Sequence, residues 1–530
     1  MTAGTTLNVW RRWREVERQD ATYRVVVLSS YTADPVVPHL GLALHDGGLP
    51  ARLIVGPYNQ IVQQCVDPGS ATAATEPDIV FVVPRFEECW NQFPAPGDLP
   101  AADYAAELLL LADEAVAACA RWNAILVFVL PALPEQRLLG VGDCGMRRGT
   151  VATATAVREA LRDRLAGRPG VGLLDAEAVV RSLGSANAHT PVLERLAKIP
   201  YSDGFFAGLA DQAARLLRLW FRPAQPCAVL DMDTLVCTEG GLRPGAELLR
   251  PVVDQFRAAG VGVIAVSNEQ PDLVWPRLRS LFGDEWEELA DDWQFAGDSR
   301  LPESAGASVL TADPERWPDG AGVVDVGEEP ELWASKLIGS TVWDQVPPPD
   351  SPRASEVSAA TPSAPMSLAR YIAGLGVSVD WQPVDNDLVP SVTEMAEKTK
   401  DFTLGLDHDQ HSLTALVADG TGLVLVGEVR DRLGKYGHAV VFGARFANGC
   451  CVVDPFYVSC PAMGKGVEDV ALDRIMRLAA DHHCNRLVFR FVPTGRNDAA
   501  LRFLRNIPEA GSVRVIVEES SSQVAAAAAT

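Results

Sequence analysis

The segment Ala228-Val229-Leu230-Asp231-Met232-Asp233-Thr234-Leu235 ends an apolar run with two carboxylates one residue apart. Side chains alternate along a strand, so at a strand terminus both carboxylates can face one Mg²⁺ and one phosphoryl group. The first would then be a nucleophile and the second a general acid/base. A polar strand end capping a helix reads the same way. Ser267 follows the next apolar run, where a hydroxyl could bind a phosphate oxygen, and Asp325 sits within a later one, as a third metal carboxylate would. Cys237, a few residues past Asp233, is close enough to capture a group freed there. Further on, Ser459-Cys460-Pro461-Ala462-Met463-Gly464-Lys465-Gly466 joins a strand to a helix starting near Val467. Glycines at such a junction let backbone N–H groups approach an anion, as in sites for the pyrophosphate of a coenzyme A or pantetheine arm. A tight strand-to-helix turn is the competing reading, and both cysteines fit equally well as core filler. His411, His438, His482 and His483 are proton-shuttle candidates by residue type alone.

These groups need elements to position them. Tyr23–Leu28, Arg52–Val55, Ile79–Val83 and Ala124–Val129 are continuous apolar runs, as buried parallel strands require, and Asp103–Trp122 has the spacing of a covering helix. Ser29 and Ser30 follow the first run at its carboxyl end, where open α/β sheets place ligands. No clear Asp-x-x-His partner accompanies them, so hydrolysis is not expected. After a helix over Phe205–Trp220, a second series predicts strands at Ala228–Leu230, Val263–Val266 and Val323–Val326, with an amphipathic stretch at Ala246–Ala259. A third predicts strands at Leu423–Val429, His438–Phe446, Cys451–Val458 and Arg486–Phe491, mostly antiparallel, with helices at Val467–Asp481 and Ala499–Arg505. The Pro/Ser/Ala tract 346–367 is a linker, and 520–530 reads as a disordered tail.

At 530 residues the chain is too long for one core, and 48% apolar with 22% charged residues suits several globular ones. The formal charge of -23, from 46 Lys+Arg against 69 Asp+Glu, repels phosphate backbones and anionic lipid, so nucleic acid and membrane are not expected partners. Residues 421–510 carry 12 basic against 9 acidic side chains, a local excess that could receive an acidic partner. No run approaches the ~20 apolar residues of a membrane span, and no secretory pattern opens the chain. Ten cysteines without C-x-x-C spacing then point to reduced thiols and a cytoplasmic location.

The order D-x-D, then Ser, then Asp is that of haloacid-dehalogenase-type phosphatases, although no lysine occurs between Lys198 and Lys336. Taken together, the motifs resemble the FkbH-like proteins of polyketide and related antibiotic pathways, over most of the chain. The resemblance rests on Val27-Leu28-Ser29-Ser30-Tyr31-Thr32-Ala33-Asp34-Pro35, on Leu196-Ala197-Lys198-Ile199-Pro200-Tyr201-Ser202 and on Glu397-Lys398-Thr399-Lys400-Asp401-Phe402. It continues through Val429-Arg430-Asp431-Arg432-Leu433-Gly434-Lys435-Tyr436-Gly437, Ser459-Cys460 with Met463-Gly464-Lys465-Gly466-Val467-Glu468, and Pro493-Thr494-Gly495-Arg496-Asn497.

The resemblance implies an α/β chain with an SGNH-hydrolase-like, flavodoxin-like parallel sheet over 1–222. It implies a degenerate haloacid-dehalogenase-like Rossmannoid domain over 223–345 and a GCN5-related acyltransferase-like mixed sheet over 368–519. Members take a glyceryl unit from 1,3-bisphosphoglycerate, hold it as an enzyme thioester and pass it to an acyl carrier protein. Carried over, Asp231 and Asp233 bind Mg²⁺ with Asp325 and transfer phosphoryl, Ser267 contacts phosphate, and Cys237 or Cys460 holds the acyl group. Met463, Gly464, Lys465, Gly466 and Asn497 then bind the phosphopantetheine of the carrier protein or CoA. The donor would be a small phosphorylated or thioester acyl compound. The family's Ser-Lys-Asn is Ser267-Asn268-Glu269 here, its Asp-Asp-Asn-Pro is reduced to the vicinity of Asp325, and Pro461 replaces a basic residue of the pyrophosphate loop. Two alternatives remain: acyl transfer from a CoA or carrier thioester to another acceptor beside a non-catalytic middle scaffold, and a carrier-binding module without chemistry.

Overall fold

A computed structural model describes residues 3–17, 21–89, 101–137, 139–147, 149–221, 226–238, 241–295, 307–317, 322–345, 366–418, 422–432, 434–507 and 514–519. The expected tail 520–530, and the expected linker apart from its last two residues, lie outside them. The architecture is mixed α/β, with two wholly parallel sheets and one mixed sheet.

The first sheet comprises β1 (Tyr23–Ser29), β2 (Ala51–Val55), β3 (Ile79–Val83), β4 (Ile125–Leu130) and β5 (Val171–Asp175), in the order β2-β1-β3-β4-β5. That is the flavodoxin-like order, which puts a topological switch at the carboxyl ends of β1 and β3. Val25, Val26, Val27 and Leu28 are at most 1% exposed, because helices cover the sheet and each apolar side chain finds a partner layer. The helices Ala101–Trp122 and Thr150–Leu165 supply Leu108, Ala112, Ala115, Val157 and Leu161 to one core.

The second sheet comprises β6 (Cys227–Asp231), β9 (Gly262–Val266), β10 (Asp292–Gln294), β11 (Ala307–Thr311) and β12 (Gly322–Asp325), ordered β10-β9-β6-β11-β12. A two-residue hairpin, β7 (Cys237–Thr238) with β8 (Gly241–Leu242), follows β6. The third sheet runs in chain order: β13 (Ser378–Pro383), β14 (Gly422–Asp431), β15 (Gly434–Ala447), β16 (Cys450–Val458), β17 (Arg486–Phe491) and β18 (Arg514–Glu519). It is antiparallel up to β16 and parallel from β16 to β18. Pairing of β16 with β17 stops at Val453↔Phe489 although β16 continues to Val458. Beyond it, Val458 N donates to Phe402 O (3.2 Å), Val492 N donates to Leu404 O (2.8 Å), and Thr403 bridges Tyr457. The chain's own segment Phe402–Leu404 thus bonds to both strands past the point where they stop pairing.

Two compact units result, one of 1–41, 50–209 and 352–530, the other of 42–49 and 210–351. The first contains both the first and third sheets. Its two parts share a core, since Tyr371 and Leu375 of the helix Leu368–Leu375 are buried among residues of the first sheet and its covering helices. Ser367 starts that helix, its side chain accepting from Arg370 N. The division between units falls at 209/210, inside the helix Asp203–Phe221.

Candidate functional site

In the second unit, Asp231 ends β6 and Asp233 lies in the turn of helix Met232–Leu235 that follows. Asp231 is 2% exposed. Its Oδ2 accepts from Thr311 Oγ1 (2.8 Å) and Trp317 Nε1 (3.0 Å). Asp233 accepts from Ser267 Oγ (2.5 Å) and from Asn268 N (2.9 Å), so the structure does bring Ser267 to the acid pair. A cation is already seated there: Arg316 Nη2 is 2.8 Å from Asp233 Oδ2, and its Nε is 3.8 Å from Asp231 Oδ2.

Asp325 does not join them. It ends β12, is exposed, and accepts from Gly327 N (2.9 Å). Because β11 lies between β6 and β12, Asp325 is separated from Asp231 by two strand spacings, roughly 10 Å. The strand beside β6 is β11, and it runs into Thr311-Ala312-Asp313-Pro314. Thr311, not an acid, therefore stands beside Asp231 at this end of the sheet. Among the described residues no group of three or more His, Cys, Asp or Glu side chains is placed to hold a metal ion. The Mg²⁺ that the fold family implies, which would polarise a phosphoryl oxygen, does not fit a two-carboxylate set already paired with a guanidinium. Cys237 lies against Arg277 (Sγ to Nη1 3.5 Å), and burial still raises its pKa despite that cation.

In the first unit, the glycine loop is filled. Gly464 N donates to Glu468 Oε1 (2.7 Å), and the amides of Gly466 and Glu468 also favour that carboxylate. The helix Val467–Asp481 therefore carries its own carboxyl group at its N-terminus. Burial pushes the Glu468 carboxyl up to about 7, with the amides opposing the rise. Gly464 O accepts from Gln63 Nε2 (3.3 Å), and at φ +73° a Cβ on Gly464 would sit 2.9 Å from Gln60 Nε2. Lys465 is 4% exposed, its Nζ 2.6 Å from Tyr436 OH, which in turn donates to Asp431 Oδ2 (2.8 Å). Met463 is buried. The expected cradle for an external pyrophosphate is a closed turn. Asn497 likewise is a staple: fully buried, it donates to Thr403 O and Val492 O and accepts from Thr494 N.

Cys460 stands just past β16. Its thiol donates to Asp401 Oδ2 (Sγ to Oδ2 3.6 Å), and Asp401 Oδ1 is held by Arg496 Nη2 (3.2 Å). Burial first, then Asp401, push the thiol up to about 11. Tyr58, in the loop after β2, feels the charges of Glu88, Cys460, Arg85 and Glu194 and is raised mainly by burial. Arg85 pairs with Glu87 (2.9 Å), Glu88 (3.1 Å) and Glu194 (2.6 Å), yet burial still lifts Glu88 to about 8. Ser29 and Ser30 are buried turn residues: Ser29 Oγ donates to Val83 O and accepts from Tyr31 N, and Ser30 Oγ accepts from Arg85 N.

None of the four histidines singled out from the sequence has a carboxylate within 4 Å among the described residues. His438 accepts from Gln382 Nε2, His482 stacks on Phe446 at 3.8 Å, His483 takes a left-handed turn conformation and His411 is exposed. The histidine with a carboxylate partner in this part of the unit is His408, 3.3 Å from Asp454 on the wall of a cleft of about 530 Å³. Nothing in its local sequence marks it, because Asp454 is 46 residues away and reaches it only through sheet pairing. The nine cysteines whose side chains are described are free.

No family model matches the chain, and no curated protein does. Among solved structures, it is similar to the N-terminal part of the protein BF1531 from Bacteroides fragilis, described as containing a phosphatase domain and complexed with Mg. The match has 12% identity and a TM-score of 0.50, covering 63% of this chain and 97% of that one. At that identity the likeness is one of fold. An acetylxylan esterase from Geobacillus stearothermophilus aligns over 38% of this chain and 96% of its own, with 14% identity and a TM-score of 0.27. A GCN5-related glucosamine N-acetyltransferase region in a fungal multi-domain β-N-acetylglucosaminidase aligns over 88% of this chain and 53% of its own, with 12% identity and a TM-score of 0.17. These last two scores are too low to support an argument.

Proposed function

We propose that the chain is an acyltransferase of FkbH-like type whose chemistry runs through Cys460 in the first unit, with the second unit a non-catalytic scaffold. The observation that carries this reading is the line of Cys460, Asp401 and Arg496, in which a half-buried thiol donates to a carboxylate fixed by a guanidinium. At a pKa near 11 only roughly one thiol in ten thousand is ionised at pH 7, so the proton must leave during attack. Asp401 is placed to take it. The sulfur then bonds to the acyl carbon of a small acyl phosphate or thioester, the phosphate or thiolate leaves, and an acceptor thiol later displaces Cys460. The phosphopantetheine of an acyl carrier protein is the acceptor that the resemblance suggests, and the local basic excess over 421–510 suits an acidic partner of that kind.

The test is intact-mass detection of acyl-enzyme and of loaded carrier protein, using acyl phosphates and acyl-CoAs of two to four carbons as donors. Cys460→Ala should abolish both species, and Asp401→Asn should slow loading by about a hundredfold. Asp231→Asn should leave loading unchanged. Loading at the native rate by Cys460→Ala would sink the reading. Arg316 in the acid pair and Glu468 in the glycine turn favour a second reading, a carrier-binding module without chemistry, and carrier binding without turnover across the donor panel would select it.

A further inference from the structure

One wall of the first unit holds a cleft of about 530 Å³, within the range of small-molecule sites, lined by His408, Ser412, Leu416, Arg445 and Asp454 with Ala415 and Ala418. Tyr457 OH donates to Leu406 O (3.1 Å), so the same hydroxyl accepts from His408 Nδ1 (2.9 Å), which fixes a proton on Nδ1. His408 Nε2 faces Asp454 Oδ1 at 3.3 Å. Burial opposes a charge on the ring, but Asp454 and the Leu406 carbonyl together act the other way, and the His408 pKa is raised. Arg445 acts on the same ring as a second positive charge, and among the described residues it has no carboxylate within 4 Å. With Asp454 set against His408, Arg445 brings the cleft a positive charge that no carboxylate within 4 Å offsets among the described residues.

Asp454 adds a second observation. It is 7% exposed, and its buried Oδ1 makes no aligned hydrogen bond, its 3.3 Å contact with His408 Nε2 lacking donor geometry. A buried acceptor without a donor calls for an explanation, and at the wall of a cleft a ligand donor is the direct one. Its position is built by the fold: opposite it, the β15–β16 register shifts between Phe442 and Ala444, and a Cβ on Gly443 would lie 2.5 Å from Asp454 O. On the other side, Ala415, Leu416 and Ala418 of the helix Gln410–Ala418 give an apolar wall.

We propose that this cleft binds a small hydroxycarboxylic acid, its carboxylate on Arg445, its hydroxyl donating to Asp454 and its hydrocarbon chain against Ala415 and Leu416. Asp454 is already set against His408, so the unpaired charge is that of Arg445, which favours an anion over a zwitterion, and its planar guanidinium suits a carboxylate held by two parallel bonds. The site is distinct from Cys460 and does not depend on the acyl-transfer reading. Titration calorimetry on the full chain tests it with three molecules of one carbon skeleton: 2-hydroxyisocaproate, 4-methylpentanoate and leucine. The hydroxy acid should bind about tenfold tighter than the acid lacking the hydroxyl, and tighter than leucine. 2-Hydroxyisocaproamide, without the charge, should bind at least about tenfold more weakly. Arg445→Gln, at a half-buried position, should lose the same factor with its circular dichroism unchanged, and Arg445→Lys should recover part of it. Equal binding of the hydroxy acid and 4-methylpentanoate, preference for leucine, or no binding of the hydroxy acid at all would each overturn the proposal.

Discussion

Two side chains, Arg316 and Glu468, decide how the two most suggestive sequence motifs are used. Each occupies the place that an outside ligand would otherwise take. Arg316→Ala should leave Asp231 and Asp233 facing each other unneutralised. Because Arg316 is itself a third exposed, the expected loss is about 1–2 kcal/mol in the second unit. Millimolar Mg²⁺ should then raise the variant's melting temperature and leave the native protein's unchanged; a Mg²⁺-dependent shift in the native protein would contradict the seating of Arg316. Glu468 has the opposite sense with pH. Its folded pKa is raised above the unfolded value of 4.5 to about 7, so the folded state holds a proton that the unfolded state has lost. Stability from this group is full below about pH 4.5 and declines as pH rises through 7. Glu468→Gln should flatten that part of the stability profile, measured by urea denaturation at half-unit pH steps.

At the scale of elements, strands with an uninterrupted apolar run were legible even where half-buried, whereas β5, β11 and β13, whose apolar runs are short or broken, were not. Val25 to Leu28 could only be a buried strand. Val171–Asp175 alternates buried and half-buried residues at a sheet edge, and Ala307–Thr311 holds only Val309 and Leu310 as large apolar residues. Because β11 intervenes between β6 and β12, Asp325 stands two strands from Asp231. Asp231, Asp233 and Ser267 were found because they sit at the ends of legible strands, whereas Arg316, Trp317 and Asp401 lie in loops whose partners are fixed only by tertiary contact. The insertion of Phe402–Leu404 beyond the end of the β16–β17 pairing makes a sharp test. Gly405 has φ +89°, and a Cβ there would lie 1.9 Å from Val492 O, a backbone atom that cannot yield. Gly405→Ala should therefore cost more than about 2 kcal/mol. A melting temperature within a degree of the native protein's would show that the segment is not pinned there.

For the whole molecule, the grouping into two compact units predicts two calorimetric transitions, not three, because the first and third sheets melt together. Leu375 is fully buried in the core they share, and Leu375→Ala should lower the first unit's stability by about 2–5 kcal/mol. Arg316→Ala should move only the other transition. Separate melting of the first and third sheets after either substitution would contradict a shared core. Composition gave the size and the α/β character, but it could not show that residues beyond 352 return to complete an earlier core, since that depends on which apolar faces meet.

The docking of Tyr371 and Leu375 also has a consequence in time. The last strand of the first sheet ends at Asp175, and Leu375 emerges 200 residues later, with the second unit made in between. At 5–20 residues per second a ribosome takes roughly 10–40 s over that stretch. Throughout that wait the nascent chain carries an apolar socket with nothing yet to plug it. Newborn copies should be at their most vulnerable to aggregation, and most dependent on chaperones, while the intervening segment is still being translated.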